Sequence, residues 1–338
     1  MTSRELVYKT LNFESPPRAP RQLWTLPWAD IHHKEALEQI RNDFLEDFVV
    51  CCVPFEKYPE TSGDPYKIGN FTDEWGVIWE NKQEGIVGEV KNPIVVEEDW
   101  EDFENIHIPV EQLTFQIKDA NDFCKNTDKF VIAGACPRPF EQMQFLRGTE
   151  NLYIDIALGN EGFKRSLAKM HDFYCELMFK WAKTDVDALN MMDDWGSQKS
   201  LLINPASWEE YFKPMYKDYI DIAHSHGKKI FMHSDGYTLE ILPQLIELGL
   251  DAFNTQIFCM DIADLSPHAG RITFWGEIDR QQLLPFGTQD DIADAVKKVH
   301  KNLWKDGGCI AQCEFGPGAK PENVRKVFES WNIAVILP

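Results

Sequence analysis

The sequence lacks the features that would direct a chain to or across a membrane. None of its apolar runs approaches the ~20 residues needed to cross a bilayer. The first ten residues include Arg4, Glu5 and Lys9 and have no apolar core of the kind found in secretory signals. We therefore expect a cytoplasmic protein that has no membrane partner.

Basic residues are scarce. The 338 residues include 34 Lys and Arg against 55 Asp and Glu, a formal net charge of −21. Binding to nucleic acids or to anionic membrane surfaces depends on clustered Lys and Arg, which neutralise phosphate charge. The sequence therefore predicts that nucleic acid is not a partner.

Paired cysteines and phosphate-binding motifs are also missing. The eight cysteines form no CxxC pair and no dense framework, so reduced thiols are expected. Neither a GxGxxG motif nor a Walker motif is present. Most of the cysteines are expected to be small buried apolar residues, and only a cysteine close to other ligand types is a candidate for chemistry.

Short apolar runs rich in β-branched and aromatic residues alternate with segments of helical periodicity. In the later units a glycine ends the helical segment directly before the next run, as expected at a helix C-terminus. This pattern predicts parallel strands buried on both faces, and eight of them favour a single α/β domain over residues 1–338, a (β/α)8 TIM barrel. The runs lie at 22–26, 47–53, 129–136, 187–194, 229–235, 251–256, 271–278 and 308–314.

The segment 54–128 is longer than one crossover helix requires, so we interpret it as an insertion after the second strand. Within it, residues 71–90 alternate apolar and polar side chains around a glycine-containing turn, which is typical of a β-hairpin. Such a hairpin would either cover the barrel mouth as a lid or form a structural flap without ligand contact.

Polar residues end several of the predicted strands, where the active sites of such barrels lie. His233 and Asp235 are two residues apart and can point the same way, and Cys313 ends the eighth strand. Imidazole, carboxylate and thiolate all bind zinc, and three protein ligands leave a fourth position for substrate. The alternatives are a hydrogen-bonded structural His, an Asp that caps a helix, and a core Cys.

Further polar and aromatic side chains are expected at the same rim. We assign catalytic roles to some of them, either orienting substrate or supplying protons, and substrate contact to the others. The predicted catalytic residues are Asp194, Glu277 and Asn254, and the predicted substrate-binding residues are Trp24, Asp193, Trp195 and Gln256.

Four segments, in this order, resemble the uroporphyrinogen decarboxylase superfamily. They are ALNMMDDWGSQKSLLINPASWEEYFKPMY, FMHSDG, WGEID and CEFGPGAKPENV, and the resemblance covers roughly residues 180–330. It implies a (β/α)8 barrel with one of two chemistries. One is metal-free decarboxylation of porphyrinogens, and the other is zinc-dependent methyl transfer involving corrinoid proteins and thiols.

Departures from the decarboxylase pattern favour the methyltransferase branch. Where decarboxylases resemble RQAGR, this chain has residues 21–25, RQLWT, and their Asp after the second strand is absent from residues 51–55, CCVPF. The methyltransferase zinc pattern is His-x-Cys followed by a distant Cys, which His233, Asp235 and Cys313 match except for Asp235. Fewer thiolates make a harder Lewis acid, which favours a substrate with an oxygen donor.

The sequence thus predicts transfer of a methyl group from a small methylated substrate, such as an aryl methyl ether, to a corrinoid (cobalamin) carried by a partner protein. Zinc would activate the leaving oxygen. Two alternatives stay open: a metal-free decarboxylase or lyase acting on a small or porphyrin-like acid, and a non-catalytic ligand-binding barrel. By analogy with related barrels, a homodimer is expected.

Overall fold

The computed structural model describes residues 1–334 and contains eleven strands in two sheets. Eight strands form one parallel sheet, and three form a small antiparallel sheet in the inserted segment. The strands are β1 (Arg21–Thr25), β2 (Phe48–Cys51), β3 (Gly69–Thr72), β4 (Ile78–Asn81), β5 (Glu89–Val90), β6 (Phe130–Ala133), β7 (Ala188–Met192), β8 (Lys229–Ser234), β9 (Ala252–Thr255), β10 (Thr273–Trp275) and β11 (Cys309–Phe315).

Helices connect successive parallel strands and surround them. Short 3-10 turns lie at Glu101–Asn105, Val110–Thr114, Ile257–Cys259 and Ser266–His268. The α-helices are α1 (Ser3–Leu11), α2 (Pro27–Asp43), α3 (Ile117–Lys125), α4 (Pro139–Arg147), α5 (Thr149–Leu158), α6 (Glu161–Ala182), α7 (Pro205–Tyr211), α8 (Lys213–Ser225), α9 (Leu242–Leu248), α10 (Ile262–Leu265), α11 (Leu283–Phe286), α12 (Gln289–Leu303) and α13 (Pro321–Ala334).

The parallel strands run β1-β11-β10-β9-β8-β7-β6-β2, so the first and last strands of the chain are neighbours. The remaining seam lies between β1 and β2. There the main-chain N–H of Asp47 donates to the carbonyl of Arg21 at 2.9 Å, and the Asp47 carboxylate accepts the N–H of Arg21 at 2.8 Å. The predicted (β/α)8 barrel is confirmed, and each of the eight apolar runs overlaps one of its strands.

Helix α1 closes the amino-terminal end of the barrel. Its Val7 and Leu11 belong to one buried cluster with inward residues of the strands, among them Phe48, Phe130 and Phe231. Because this end is filled by apolar side chains, we expect a ligand site at the carboxyl ends of the strands, where the active sites of such barrels lie. The polar residues identified from the sequence lie at that end.

Glycines end two of the helices in the expected way. Gly227 follows α8 and Gly249 follows α9, with φ angles of 69° and 96°, in the left-handed region that glycine adopts without strain. Each is followed within a few residues by the next barrel strand, β8 or β9. The predicted succession of strand, helix and glycine is therefore present here.

The inserted segment forms a three-stranded antiparallel sheet in which β4 pairs with both β3 and β5. The turn between β3 and β4 is held by Asp73, whose carboxylate accepts the main-chain N–H groups of Trp75 and Val77 and the indole N–H of Trp79, each at 2.8–2.9 Å. The third strand was not anticipated from the sequence. No helix within residues 1–334 is long and apolar enough to cross a membrane.

Candidate active site

The candidate centre consists of an imidazole between two carboxylates. Alternate residues of a strand share a face, and Phe231 of β8 lies in the barrel core, so His233 and Asp235 also point inward. Asp194 follows β7, the neighbouring strand. Nε2 of His233 lies 3.5 Å from Oδ1 of Asp194 and 3.5 Å from Oδ1 of Asp235.

Asn254 of β9 fixes the imidazole in one orientation. The Asn254 amide nitrogen donates to the main-chain carbonyl of Trp275, so its Oδ1 must face His233. Nδ1 of His233 lies 2.6 Å from that oxygen and therefore carries a proton. In the neutral ring, Nε2 then presents a lone pair toward Asp194 and Asp235, an arrangement that requires a cation or a second proton between them.

The charge distribution supports a cation site. Burial and the neighbouring charge of Asp235 raise the pKa of Asp194 above its usual value. Oδ1 of Asp235 is buried and accepts no hydrogen bond from the residues that the structure describes. One ligand atom from each of Asp194, His233 and Asp235 lies within 4.8 Å of the others, and imidazole nitrogen and carboxylate oxygen are both zinc ligands. These residues fit a divalent metal such as zinc.

Arg280, which the sequence analysis missed, links three acidic groups at this rim. Its guanidinium forms an ion pair with Asp235. One of its nitrogens, Nη1, also lies 2.9 Å from Oε2 of Glu314 and 3.7 Å from Oε2 of Glu277. Burial, opposed by the charge of Arg280, raises the pKa of Glu277 to about 8. Glu277 is therefore largely protonated at neutral pH. In the sequence, Arg280 was indicated only by its closeness to Glu277, in the segment WGEIDR.

Cys313 does not join the centre, which corrects the predicted ligand set. In β11 it pairs with Leu23 of β1, and both belong to the apolar layer between strands and helices. The next pair, Trp24 and Glu314, faces inward instead. Successive residues of a strand point to opposite faces, so a difference of one position removes the thiol from the site. Burial also raises the pKa of this thiol above its usual value, which keeps it protonated.

Asp193 and Trp195 are also corrected, from substrate contacts to structural residues. Both are fully buried. Asp193 accepts the main-chain N–H of Glu141 at 2.8 Å and the hydroxyl of Tyr216 at 2.6 Å, and burial raises its pKa to about 7. Trp195 stacks on Phe140 with ring centroids 4.2 Å apart. The same alternation that turns Asp194 inward turns Asp193 outward.

Trp24 and Gln256 lie where a ligand could reach them. The Trp24 ring centroid is 5.2 Å from that of His233. Gln256 lines a cavity of about 160 Å³ together with Glu277, and its Oε1 accepts the N–H of Gly236 at 3.0 Å. The structure thus brings Asp194, His233, Asp235, Asn254, Glu277 and Trp24 to one end of the barrel, with Gln256 beside them.

Residues 77–332 match the model of the uroporphyrinogen decarboxylase (URO-D) family. The chain belongs to this family. The matched region includes the centre built around His233. Strands β1, β2 and β3 lie outside it, and so does Trp24 of β1. Uroporphyrinogen decarboxylase family membership agrees with the resemblance found in the sequence. No curated protein matches this chain.

Solved structures resemble the chain in fold. A methyltransferase from Methanosarcina mazei superposes with a TM-score of 0.69 at 13% identity, covering 98% of this chain and 99% of that one. A B12-independent methionine synthase from Shewanella sp. W3-18-1 gives a TM-score of 0.47 at 14% identity, covering 94% of each chain. At 13% identity, the similarity to the Methanosarcina mazei methyltransferase establishes the barrel fold alone.

Proposed function

We propose that the chain transfers a methyl group from a small methyl ether to the cobalt of a corrinoid carried by a partner protein. The observation that carries this proposal is the position of Nε2 of His233, 3.5 Å from a carboxylate oxygen of Asp194 and of Asp235. These three side chains offer one nitrogen and two oxygens to a divalent ion at the open end of the barrel.

Asp194, His233 and Asp235 would hold a zinc ion in place of the ligand set that included Cys313. A zinc ion held there would supply a Lewis acid for the ether oxygen. A ligand set without thiolate suits an oxygen donor better than a thiol. Methyl ethers are therefore preferred over methylated thiols as the substrate class.

The surrounding side chains perform the remaining work of the reaction. Asn254 keeps the proton on Nδ1 of His233, so that Nε2 stays free for a ligand. Arg280 binds one oxygen of Asp235 and leaves the other facing the imidazole. Glu277, whose pKa of about 8 favours the protonated form at neutral pH, would be the acid that protonates the leaving oxygen.

Three lines of reasoning support the methyltransferase assignment within the family. The solved structure with a TM-score of 0.69 is itself a methyltransferase. Residues 21–25 lack the second arginine that the resemblance associates with substrate carboxylates of decarboxylases. Finally, two carboxylates and an imidazole whose ligand atoms lie within 4.8 Å of one another could hold the divalent ion that a zinc-dependent methyl transfer needs.

Metal analysis tests the proposal directly. Protein purified without chelator should contain about one zinc per chain, and Asp194→Asn and Asp235→Asn should lose it. Cys313→Ala is the matched control and should keep it, because the thiol faces away from the centre. Methyl transfer from an aryl methyl ether to reduced cobalamin should follow the metal content. A zinc-free protein that transfers methyl groups normally would refute the proposal.

A second candidate is a metal-free decarboxylase or lyase, and one observation favours it. The space between Nε2 of His233 and the two carboxylates also suits a proton, which would make His233 an imidazolium acid. Release of carbon dioxide from a candidate acid, unaffected by chelator and abolished in His233→Ala, would select this function instead.

A further inference from the structure

A cavity of about 630 Å³ lies between the inserted sheet and the carboxyl ends of β2 and β6. It is the size of a small-molecule site, and it belongs to the same end of the barrel as His233. Cys51 and Cys52 at the end of β2, and Gly134 to Cys136 at the end of β6, form its floor. The proposed function gives this cavity no role.

A guanidinium without a partner lines this cavity. Within residues 1–334, the guanidinium of Arg138 forms no ion pair and donates no hydrogen bond. The carboxyl groups whose charge acts on Arg138 include Glu141 and Asp193. Neither forms an ion pair with the guanidinium, and the Asp193 carboxylate is already bound by the main-chain N–H of Glu141 and the hydroxyl of Tyr216.

A second donor in the same cavity is also unsatisfied. The side chain of Gln142 is 4% exposed, and its Nε2 has no hydrogen-bond partner among the described residues. Gln142 and Arg138 lie one turn apart at the start of α4. A buried amide group that lacks a partner is destabilising, and a ligand acceptor placed here would satisfy it.

The acidic side chains at the cavity are already engaged. Asp73 holds the turn of the inserted sheet, and Glu74 accepts a hydrogen bond from Gln112 at 3.2 Å. The walls are otherwise largely aromatic, which suits a flat apolar ring. The aromatic lining residues are Phe55, Tyr66, Phe71, Trp75, Trp79, Phe145, Tyr174 and Trp181.

The distance to the metal centre suits a ligand of one ring. Strands β6, β7 and β8 are neighbours, so the ends of β6 and β8 are separated by two strand spacings, ~10 Å. Cys136, in the cavity, accepts a hydrogen bond from Asn190 of β7 at 3.1 Å. Asn190 and Asp194 lie four residues apart, on the same inward face. One substrate can therefore reach both places.

We infer that the substrate is an aromatic methyl ether that carries a carboxylate, with the ring in this cavity, the carboxylate on Arg138 and Gln142, and the methoxy group toward His233. A guanidinium binds a carboxylate through two parallel hydrogen bonds, and Gln142 adds a third donor. The inference rests on the proposed methyl transfer and names its substrate class.

Binding to chelator-treated full-length protein tests the inference without metal or turnover. The probes are 4-methoxybenzoate and its neutral counterpart 4-methoxybenzamide, measured by calorimetry. Wild-type protein should bind the acid roughly tenfold or more tightly than the amide. Arg138→Gln should abolish that preference and Arg138→Lys should retain part of it, while the exposed control Arg271→Gln should leave it unchanged.

Gln142→Leu gives an independent variant, which should weaken binding of the acid severalfold. Equal affinity of wild-type protein for acid and amide would overturn the inference, as would an unchanged preference in an Arg138→Gln protein that melts like wild type. If the acid binds as expected but no methyl transfer occurs, the proposed function fails alone. If other methyl ethers react but the acid does not bind, this inference fails alone.

Discussion

Asn254 accepts a hydrogen bond from Nδ1 of His233 at 2.6 Å while its own amide nitrogen donates to the carbonyl of Trp275. Each contact determines the other, because exchanging the amide oxygen and nitrogen would break both. Which ring nitrogen of His233 carries the proton is thereby set by a main-chain carbonyl on β10, a fixed part of the barrel wall.

Replacing Asn254 by leucine should weaken zinc binding by about 10- to 100-fold, because His233 loses the partner that orients it and holds its tautomer. Titration with zinc in the presence of a competing chelator measures the effect. Asn302→Leu, at a partly exposed site on α12, is the matched control and should bind zinc as wild type does. Equal affinity in both variants would show that Asn254 does not position His233.

Replacing the neighbours Cys313 and Glu314, each in its own variant, separates the packing of β11 from the chemistry of the centre. Cys313→Ala should lower the free energy of unfolding by about 1 kcal/mol, since it removes a buried sulfur, and should leave zinc content unchanged. Glu314→Gln should instead alter the centre, because Arg280 loses one of its carboxylates. Urea denaturation and metal analysis of both proteins provide the measurements. Loss of zinc in Cys313→Ala would contradict the inward–outward assignment of β11.

The raised pKa of Glu277 predicts a pH-dependent stability. The usual value is 4.5 and the folded value is about 8, so between these pH values the unfolded chain releases a proton that the folded protein keeps. The free energy of unfolding should therefore fall as pH rises through this window, by about 1.4 kcal/mol per pH unit from this group.

Glu277→Gln cannot ionise, so this contribution to the pH dependence should disappear in that variant. Urea denaturation of chelator-treated proteins between pH 5 and 8 tests this, because proton binding is linked to folding, and the exposed Glu247→Gln is the control. Parallel pH profiles for Glu277→Gln and wild type would contradict the burial argument.

Removing the positive charge of Arg280 should have opposite effects on stability and on metal binding. Arg280→Met leaves Asp235 and Glu314 without their counter-charge, so the free energy of unfolding should fall by about 3 kcal/mol. The more negative centre should bind zinc more tightly. Arg325→Met removes a half-exposed arginine that also pairs with two acidic residues, and it should cost less than about 1 kcal/mol. Weaker zinc binding in Arg280→Met would contradict the predicted electrostatics.

The barrel could be predicted from the sequence because its strands are buried on both faces and read as unbroken apolar runs. The same property concealed the ligand set. In CIAQCEF (309–315) both faces are buried, so no alternation of polar and apolar residues shows which side chains point inward. The inward set became apparent only from the pairing of Trp24 with Glu314, one position away from Cys313.

His233, Asp194 and Asn254 were found because they directly end or follow strands. Arg280, Arg138 and Gln142 were missed for a different reason. Their positions depend on the course of the loop after β10 or on the first turn of α4. A sequence without aligned relatives does not indicate where such a loop turns, and an arginine in it looks like any surface arginine.

The pairing of β1 with β11 joins two ends of the chain that are synthesised far apart in time. Until β11 leaves the ribosome, β1 has an unpaired edge. The apolar cluster that α1 covers also lacks the part that β11 contributes. Long-range pairing of this kind slows folding and leaves strand edges open to other chains. Fragments that end before Cys309 should therefore associate with one another instead of folding as shortened barrels.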